Sequence, residues 1–315
     1  MKRGTVARAV LAAVATGAAV MIVVSVTHDE ASISAASTRV SAAPQPQSQP
    51  QPTETTTPAL ATDSAPAPPP ALSAADARQL ANRVQDSVRR TVPDAKVGLE
   101  VYDRTAGQAV TSLNADTTFS SMSVVKLLIA IDVLARNDWH VPGPAIQNRL
   151  TKMLSTSDDS IASAFWMSEG GTSIITRDVK LMGLTSTQPP SAAGQWGATK
   201  VTPEDLVAVY RYLEDNVPGT ARDLIYDAMY HASRTAADGT DQFFGIPDGL
   251  PGTTWAIKQG WGSTGNTAYF HTTGLLGQDS RYVVIVLTSA PLAYYRSMAK
   301  ALTDGTGRLA ALLKP

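Results

Sequence analysis

Hydrophobic and polar positions follow three different patterns along the chain. From Ala9 to Val26 the sequence is uncharged, and only Thr16, Gly17 and Ser25 interrupt its apolar character. Lys2, Arg3 and Arg8 precede it. A basic start before an apolar run reads as an export signal. Its 18 residues are long for a signal core and barely span a bilayer. No clean Ala-x-Ala site comes after it, so the run is either cleaved or kept as a membrane tether through residues 9–26. The positive-inside rule then places the remainder outside the cytoplasm. From about Ala31 to Leu72 periodicity disappears. This stretch holds nine prolines, from Pro44 to Pro70, and its charges are Arg39, Glu54 and Asp63. Such text cannot bury a core and reads as an extended, disordered spacer.

Periodicity returns at Ser73. Ser73-Ala-Ala-Asp76 resembles a capping box, and Leu80, Val84 and Val88 recur every four residues, giving a helix that stops before Pro93. Val97, Leu99 and Val101 alternate with Gly98 and Glu100, a strand pattern, with Gln108–Leu113 as its hairpin partner. Helical text covers 123–137, 145–168 and 202–216. Strands are expected at Thr254–Lys258, Thr267–Leu276 and Tyr282–Ser289, then a C-terminal helix broken at Gly305 and Gly307. Two strands in front, three behind and helices between do not make a βαβ alternation. They predict an α+β fold in three layers: a mostly antiparallel five-stranded sheet closed by distant parts of the chain, with flanking helices and a helical subdomain.

Composition narrows the chemistry. The 315 residues carry a formal net charge of −1, which argues against a nucleic-acid binder with a basic surface. There is no cysteine. That excludes disulfides, thiolate zinc sites, a cysteine nucleophile and a cysteine-linked lipid anchor. The four histidines (His28, His140, His231, His271) lack ligand spacing, so no metal and no cofactor are expected.

Ser123 and Lys126 form S-x-x-K at the start of the apolar helix Val124–Ala130. Three residues apart, they share one helix face. Unpaired N–H groups and the positive dipole end lie at that first turn. A hydroxyl, an amine and an oxyanion-binding N–H are the parts acyl transfer needs, provided burial lowers the lysine pKa. Composition alone yields roughly one such motif by chance. Ser297-Met-Ala-Lys300 is a second copy, read as surface. The first copy is distinguished by two motifs farther along the chain: Ser157-Asp158-Asp159, then Lys258-Gln259-Gly260 after a strand.

In this order S-x-x-K, S-D-(N) and K-(T/S)-G resemble the signature of class A β-lactamases and penicillin-binding proteins, over about Ser73 to Pro315. The resemblance implies Ser123 as nucleophile, Lys126 as its base and Ser157 as proton shuttle to the leaving nitrogen. It implies Asp159, Lys258 and Trp261 as substrate-binding positions. Lys258 would face a substrate carboxylate and help keep Lys126 neutral, while the N–H groups of Ser123 and Trp261 would form the oxyanion hole. Asp158 would hold the turn. The implied substrates are small β-lactams or D-Ala-D-Ala-like cell-wall peptides, handled by an extracytoplasmic monomer.

The departures carry information too. Asp159 stands where the family has Asn, and an ionised carboxylate cannot donate to a substrate carbonyl. Gln259 replaces Thr or Ser. The Ser123–Ser157 interval is short, so a hairpin is expected to be missing. The stretch 183–199 has no acid, whereas class A enzymes carry there the Glu that activates the deacylating water. Glu204 and Asp205 read as the first turn of a capped helix, and Glu169 as a helix end. An acyl-enzyme at Ser123 is therefore expected to clear slowly. The open alternatives are a D,D-peptidase, a serine hydrolase on another ester or amide, and a degenerate wall-binding domain. Gly260-Trp-Gly-Ser-Thr-Gly265 matches G-x-G-x-x-G, but a strand comes next where a nucleotide site needs a helix, so it reads as a glycine-rich turn. Trp139, Trp166 and Trp196 read as packing or pocket residues.

Overall fold

Strands come from both ends of the domain and most helices from its middle. The computed structural model describes residues 72–313; the apolar run and nearly all of the proline-rich spacer lie outside the described residues. β1 (Lys96–Asp103) and β2 (Gln108–Leu113) pair as a hairpin. β3 (Phe119–Ser120) and β4 (Lys200–Val201) make a separate two-stranded ribbon. β5 (Trp255–Ile257), β6 (Gly260–Thr264), β7 (Thr267–Leu276) and β8 (Tyr282–Pro291) close the chain's return. The sheet order is β2-β1-β8-β7, with β5 and β6 both paired to β7, all antiparallel.

β5 and β6 share one register on β7, so they are a single edge strand interrupted at Lys258-Gln259. The sheet is therefore five strands wide but has six segments. At the gap the Thr273 hydroxyl donates to the Lys258 carbonyl at 2.7 Å. The stretch expected as a glycine-rich turn is thus mostly strand. Only Gly265-Asn266 turns, with Gly265 at φ 54° as such a two-residue hairpin requires.

β8 is buried along nearly its whole length, which explains its unbroken apolar text. Val283, Ile285 and Leu287 face the helical subdomain. Val284 and Val286 face the opposite layer of α1 (Ala74–Thr91) and the C-terminal helix. Ser73 caps α1, accepting from the Asp76 N–H at 3.2 Å. The middle helices are α2 (Val125–Ala135), α3 (Pro144–Ser155), α4 (Asp159–Ser168), α5 (Thr172–Met182), α6 (Pro203–Asn216), α7 (Gly219–Tyr230) and the single turn α8 (Ile246–Gly249). α9 (Tyr295–Thr306) comes after the sheet.

Two helical expectations change, and two helices are added. The stretch 145–168 is two helices, because Ser157 takes φ 56° and Asp158 caps a new helix by accepting from the Ile161 N–H at 3.0 Å. α5 and α7 are not legible as helices in the sequence. Gly305 lies inside α9 rather than breaking it; a Cβ there would stand 2.5 Å from Val88 Cγ2, so glycine lets α9 lie against α1. No strand lies between α2 and α4, in line with the short Ser123–Ser157 interval.

Candidate active site

The chain enters α2 through a single 3₁₀ turn, Met122–Val124. Met122 has φ 49°, an uncommon conformation for a side-chain-bearing residue, immediately before Ser123. β6 runs close by: a Cβ on Gly260 would sit 2.7 Å from the Ser121 carbonyl oxygen, and one on Gly262 would sit 2.8 Å from Met122 Sδ. Glycine at these two places brings the edge strand against the turn that carries Ser123. The turn is tied from behind as well. The Ser121 N–H donates to Thr199 O at 2.8 Å, and His271 Nε2 contacts Ser120 O at 2.8 Å. His271 Nδ1 accepts the Thr288 N–H at 3.2 Å, so Nε2 carries the proton. Burial lowers its pKa to about 4, so this histidine is a neutral strut.

Lys126 is fully buried, and its Nζ gathers the site. It lies 2.8 Å from Ser123 Oγ, 2.6 Å from Ser157 O, 3.0 Å from Ser157 Oγ and 2.5 Å from Asp159 Oδ1. Four oxygens surround a group with at most three N–H donors. At least one hydroxyl is therefore placed to donate to the nitrogen once it is neutral. Burial lowers the Lys126 pKa, and the carboxylate of Asp159 pulls it back up. Ser157 Oγ also lies 3.0 Å from Lys258 Nζ, so it bridges two lysines. Lys258 is buried, and burial together with the Lys126 charge holds its pKa well below the usual lysine range. A neutral amine has two N–H donors. Those of Lys258 reach Ser157 Oγ and, at 3.1 Å, Gln259 O.

The remaining sequence-flagged residues take different places. Asp158 is structural, capping α4 and pairing with Lys152 at 3.2 Å. Asp159, its side chain 64% exposed, lies at the solvent side of Lys126. Gln259 turns into the protein and donates to the carbonyls of Gln242 and Phe244. That segment in turn holds the Ser157 turn: Gln242 Nε2 and the Ser233 N–H donate to Ser155 O, and the Ala237 N–H donates to Thr156 O. Asp205 accepts from Thr185 N, Ser186 N and the Thr187 hydroxyl, and so fastens the base of the acid-free loop. Glu169 ends α4 and pairs with Arg136. Lys300 of the second S-x-x-K is exposed and pairs with Asp304.

Two further neighbours are Trp196, one of the tryptophans read as packing or pocket residues, and Asp238. The Trp196 ring lies 5.0 Å from Lys126 Nζ, so the acid-free loop sets an indole, not a carboxylate, beside that amine. Asp238 accepts from Trp261 Nε1 at 3.0 Å and is exposed. Its only sequence signal is an Asp-Gly turn dipeptide.

No family model matches the chain. In sequence it is 36% identical over 203 residues to proteins of Mycobacterium bovis and Mycobacterium tuberculosis named "Putative lipoprotein LppW". The match covers 62% of this chain and 64% of those relatives' length. Among solved structures, PBP-A, as a mutant in acyl-enzyme complex with penicillin G, matches with TM-score 0.59 and 17% identity, over 75% of this chain and 96% of that one. A class A β-lactamase built as an ancestral sequence matches with TM-score 0.58 and 18% identity, over 75% and 99%. The β-lactamase of Streptomyces albus G matches with TM-score 0.57 and 19% identity, over 76% and 99%. Element order, sheet topology and these likenesses agree: the chain has the β-lactamase/transpeptidase-like fold.

Proposed function

We propose that the chain is an extracytoplasmic serine hydrolase that forms an acyl-enzyme at Ser123 with β-lactams or D-Ala-D-Ala-like cell-wall peptides. The observation that carries this is the contact of a buried, pKa-lowered Lys126 with Ser123 Oγ at 2.8 Å, beside a Ser157 hydroxyl bridging Lys126 and Lys258. Neutral Lys126 takes the Ser123 proton as Oγ bonds to the substrate carbonyl carbon. The carbon–nitrogen bond then breaks, and the nitrogen receives a proton through Ser157. The N–H groups of Ser123 and Trp261 are the proposed oxyanion donors.

Deacylation is slow in this reading, because 183–199 contribute Trp196 and no acid. The working unit is a monomer, tethered through residues 9–26 or released after cleavage. Its relatives' name supports an extracytoplasmic location, but this chain has no cysteine to carry a lipid. No described helix is long and apolar enough to cross a membrane.

Intact-mass spectrometry after exposure to benzylpenicillin tests the proposal. A persistent adduct equal to one penicillin is expected on the wild type and not on Ser123→Ala. Absence of any Ser123-dependent adduct or turnover sinks the catalytic reading, and rapid hydrolysis sinks the slow-deacylation part.

A further inference from the structure

The charged groups facing solvent beside Lys126 are carboxylates, and the half-buried Lys200 is held on Ser120 Oγ at 2.9 Å. The two lysines of the site, Lys126 and Lys258, are both buried. The Lys258 donors are directed to Ser157 Oγ and Gln259 O, and the Gln259 amide is turned into the protein. At the mouth stand Asp159, mostly exposed and 2.5 Å from Lys126 Nζ, and Asp238, exposed on Trp261 Nε1. A carboxylate accepts hydrogen bonds and donates none.

We propose, resting on the acyl-enzyme reading above, that Asp159 is a specificity-determining residue that selects acyl groups bearing an ammonium or other N–H donor and disfavours those presenting an anion. To act as base, Lys126 must release its proton to solvent, and Asp159 then loses the counter-charge it holds in the free enzyme. A cationic group on the substrate replaces that charge. It gains an ion pair at the mouth while leaving Lys126 free to receive the Ser123 proton. A substrate carboxylate at the same place meets two acids and gains neither. The substrate class is thus an ester or amide, β-lactams included, whose acyl part carries a primary amine, as a diamino acid or an α-amino acyl group does.

Three penicillins that differ at one acyl carbon test this: ampicillin (ammonium), benzylpenicillin (uncharged) and carbenicillin (carboxylate). Second-order acylation rate constants are measured by intact mass on the wild type, Asp159→Asn and Ser123→Ala. On the wild type ampicillin is expected to react roughly fivefold faster than benzylpenicillin, the scale of a solvent-exposed ion pair. Carbenicillin is expected to be slowest. In Asp159→Asn the three rates converge, and because the side chain is mostly exposed the variant keeps the fold. Equal rates on the wild type, or an ordering that survives in Asp159→Asn, overturn the inference while the acyl-enzyme stands. Failure of all three to modify Ser123 removes the acyl-enzyme reading and the inference with it.

Discussion

Lys126 is under two opposed influences, and which one dominates sets when Ser123 can react. Burial favours the neutral amine, while Asp159 at 2.5 Å favours the ammonium. Replacing Asp159 by Asn removes the strongest opposition to burial and leaves only the more distant charges of Asp238 and Asp158, so the Lys126 pKa falls further. The acid limb of the acylation rate against pH is expected to move to lower pH in Asp159→Asn. Rates with benzylpenicillin across the acid range check this, and a limb that stays in place or moves up contradicts it. Asn in the usual family place would thus do two things that Asp cannot: donate to a substrate carbonyl, and leave the lysine alone. The backbone shows a similar local tension. Met122 and Ser157 both adopt positive φ, at 49° and 56°, next to the groups that must meet. Such conformations cost of order 1–3 kcal/mol each and persist where the surroundings over-determine them. Here the surroundings are the Thr199 carbonyl and β6 for Met122, and the 233–242 segment for Ser157.

At the scale of elements, the site depends on an edge strand and a loop being pinned together. Gly260→Ala is expected to slow acylation by about 100-fold, because its Cβ meets the Ser121 carbonyl at 2.7 Å and pushes β6 off the nucleophile turn. Gln259→Ala is expected to destabilise the fold by about 1–3 kcal/mol, because it leaves the Gln242 and Phe244 carbonyls without their donor. Its acylation rate should also fall as the Ser157 turn loosens. Thermal unfolding with acylation kinetics checks both, and a Gln259→Ala protein with unchanged melting temperature and rate removes the positioning role. These dependencies mark what the sequence could reveal. The strand β1 and the helices α1 and α6 are legible because one period governs each, and β8 and α2 because their text is apolar almost throughout. Ser123, Lys126, Ser157 and Lys258 are legible because spacing and order survive in the text. The break at Ser157 is not, since it depends on hydrogen bonds from residues as far as 87 positions away in the chain. The strand at Gly260–Thr264 is hidden because glycine reads as turn, while its actual use is to let a strand pass close to Ser121 and Met122. The inward aim of Gln259 depends on where the 242–244 segment lies, which no local pattern encodes.

At the scale of the whole molecule, stability depends on burying titratable groups between the layers. Glu100 in β1 faces the first turn of α6, where its Oε2 has no hydrogen-bond partner. Burial and the negative charge of Glu204 push its pKa up to about 7. Below about pH 4.5 the carboxyl is protonated in both folded and unfolded chains and contributes nothing to the pH dependence. Between 4.5 and 7 the unfolded chain releases the proton and the folded one keeps it, so stability falls as pH rises. His271 acts in the opposite sense. Its folded pKa of about 4 lies below the ordinary 6.5, so stability falls as pH drops through that window. The two slopes oppose each other in mildly acid solution, and above 6.5 the Glu100 slope is no longer offset by that of His271. Glu100→Gln removes one slope and leaves the other. Urea unfolding of both proteins from about pH 4 to about pH 8.5 should show near-equal stability at the acid end. The variant's advantage should then grow with pH and level off at roughly 2–3 kcal/mol above about pH 7. A difference independent of pH, or a variant that loses as much stability as the wild type between the acid and alkaline ends, would mean that Glu100 is ionised in the folded protein and that the interface of β1 with α6 admits its charge.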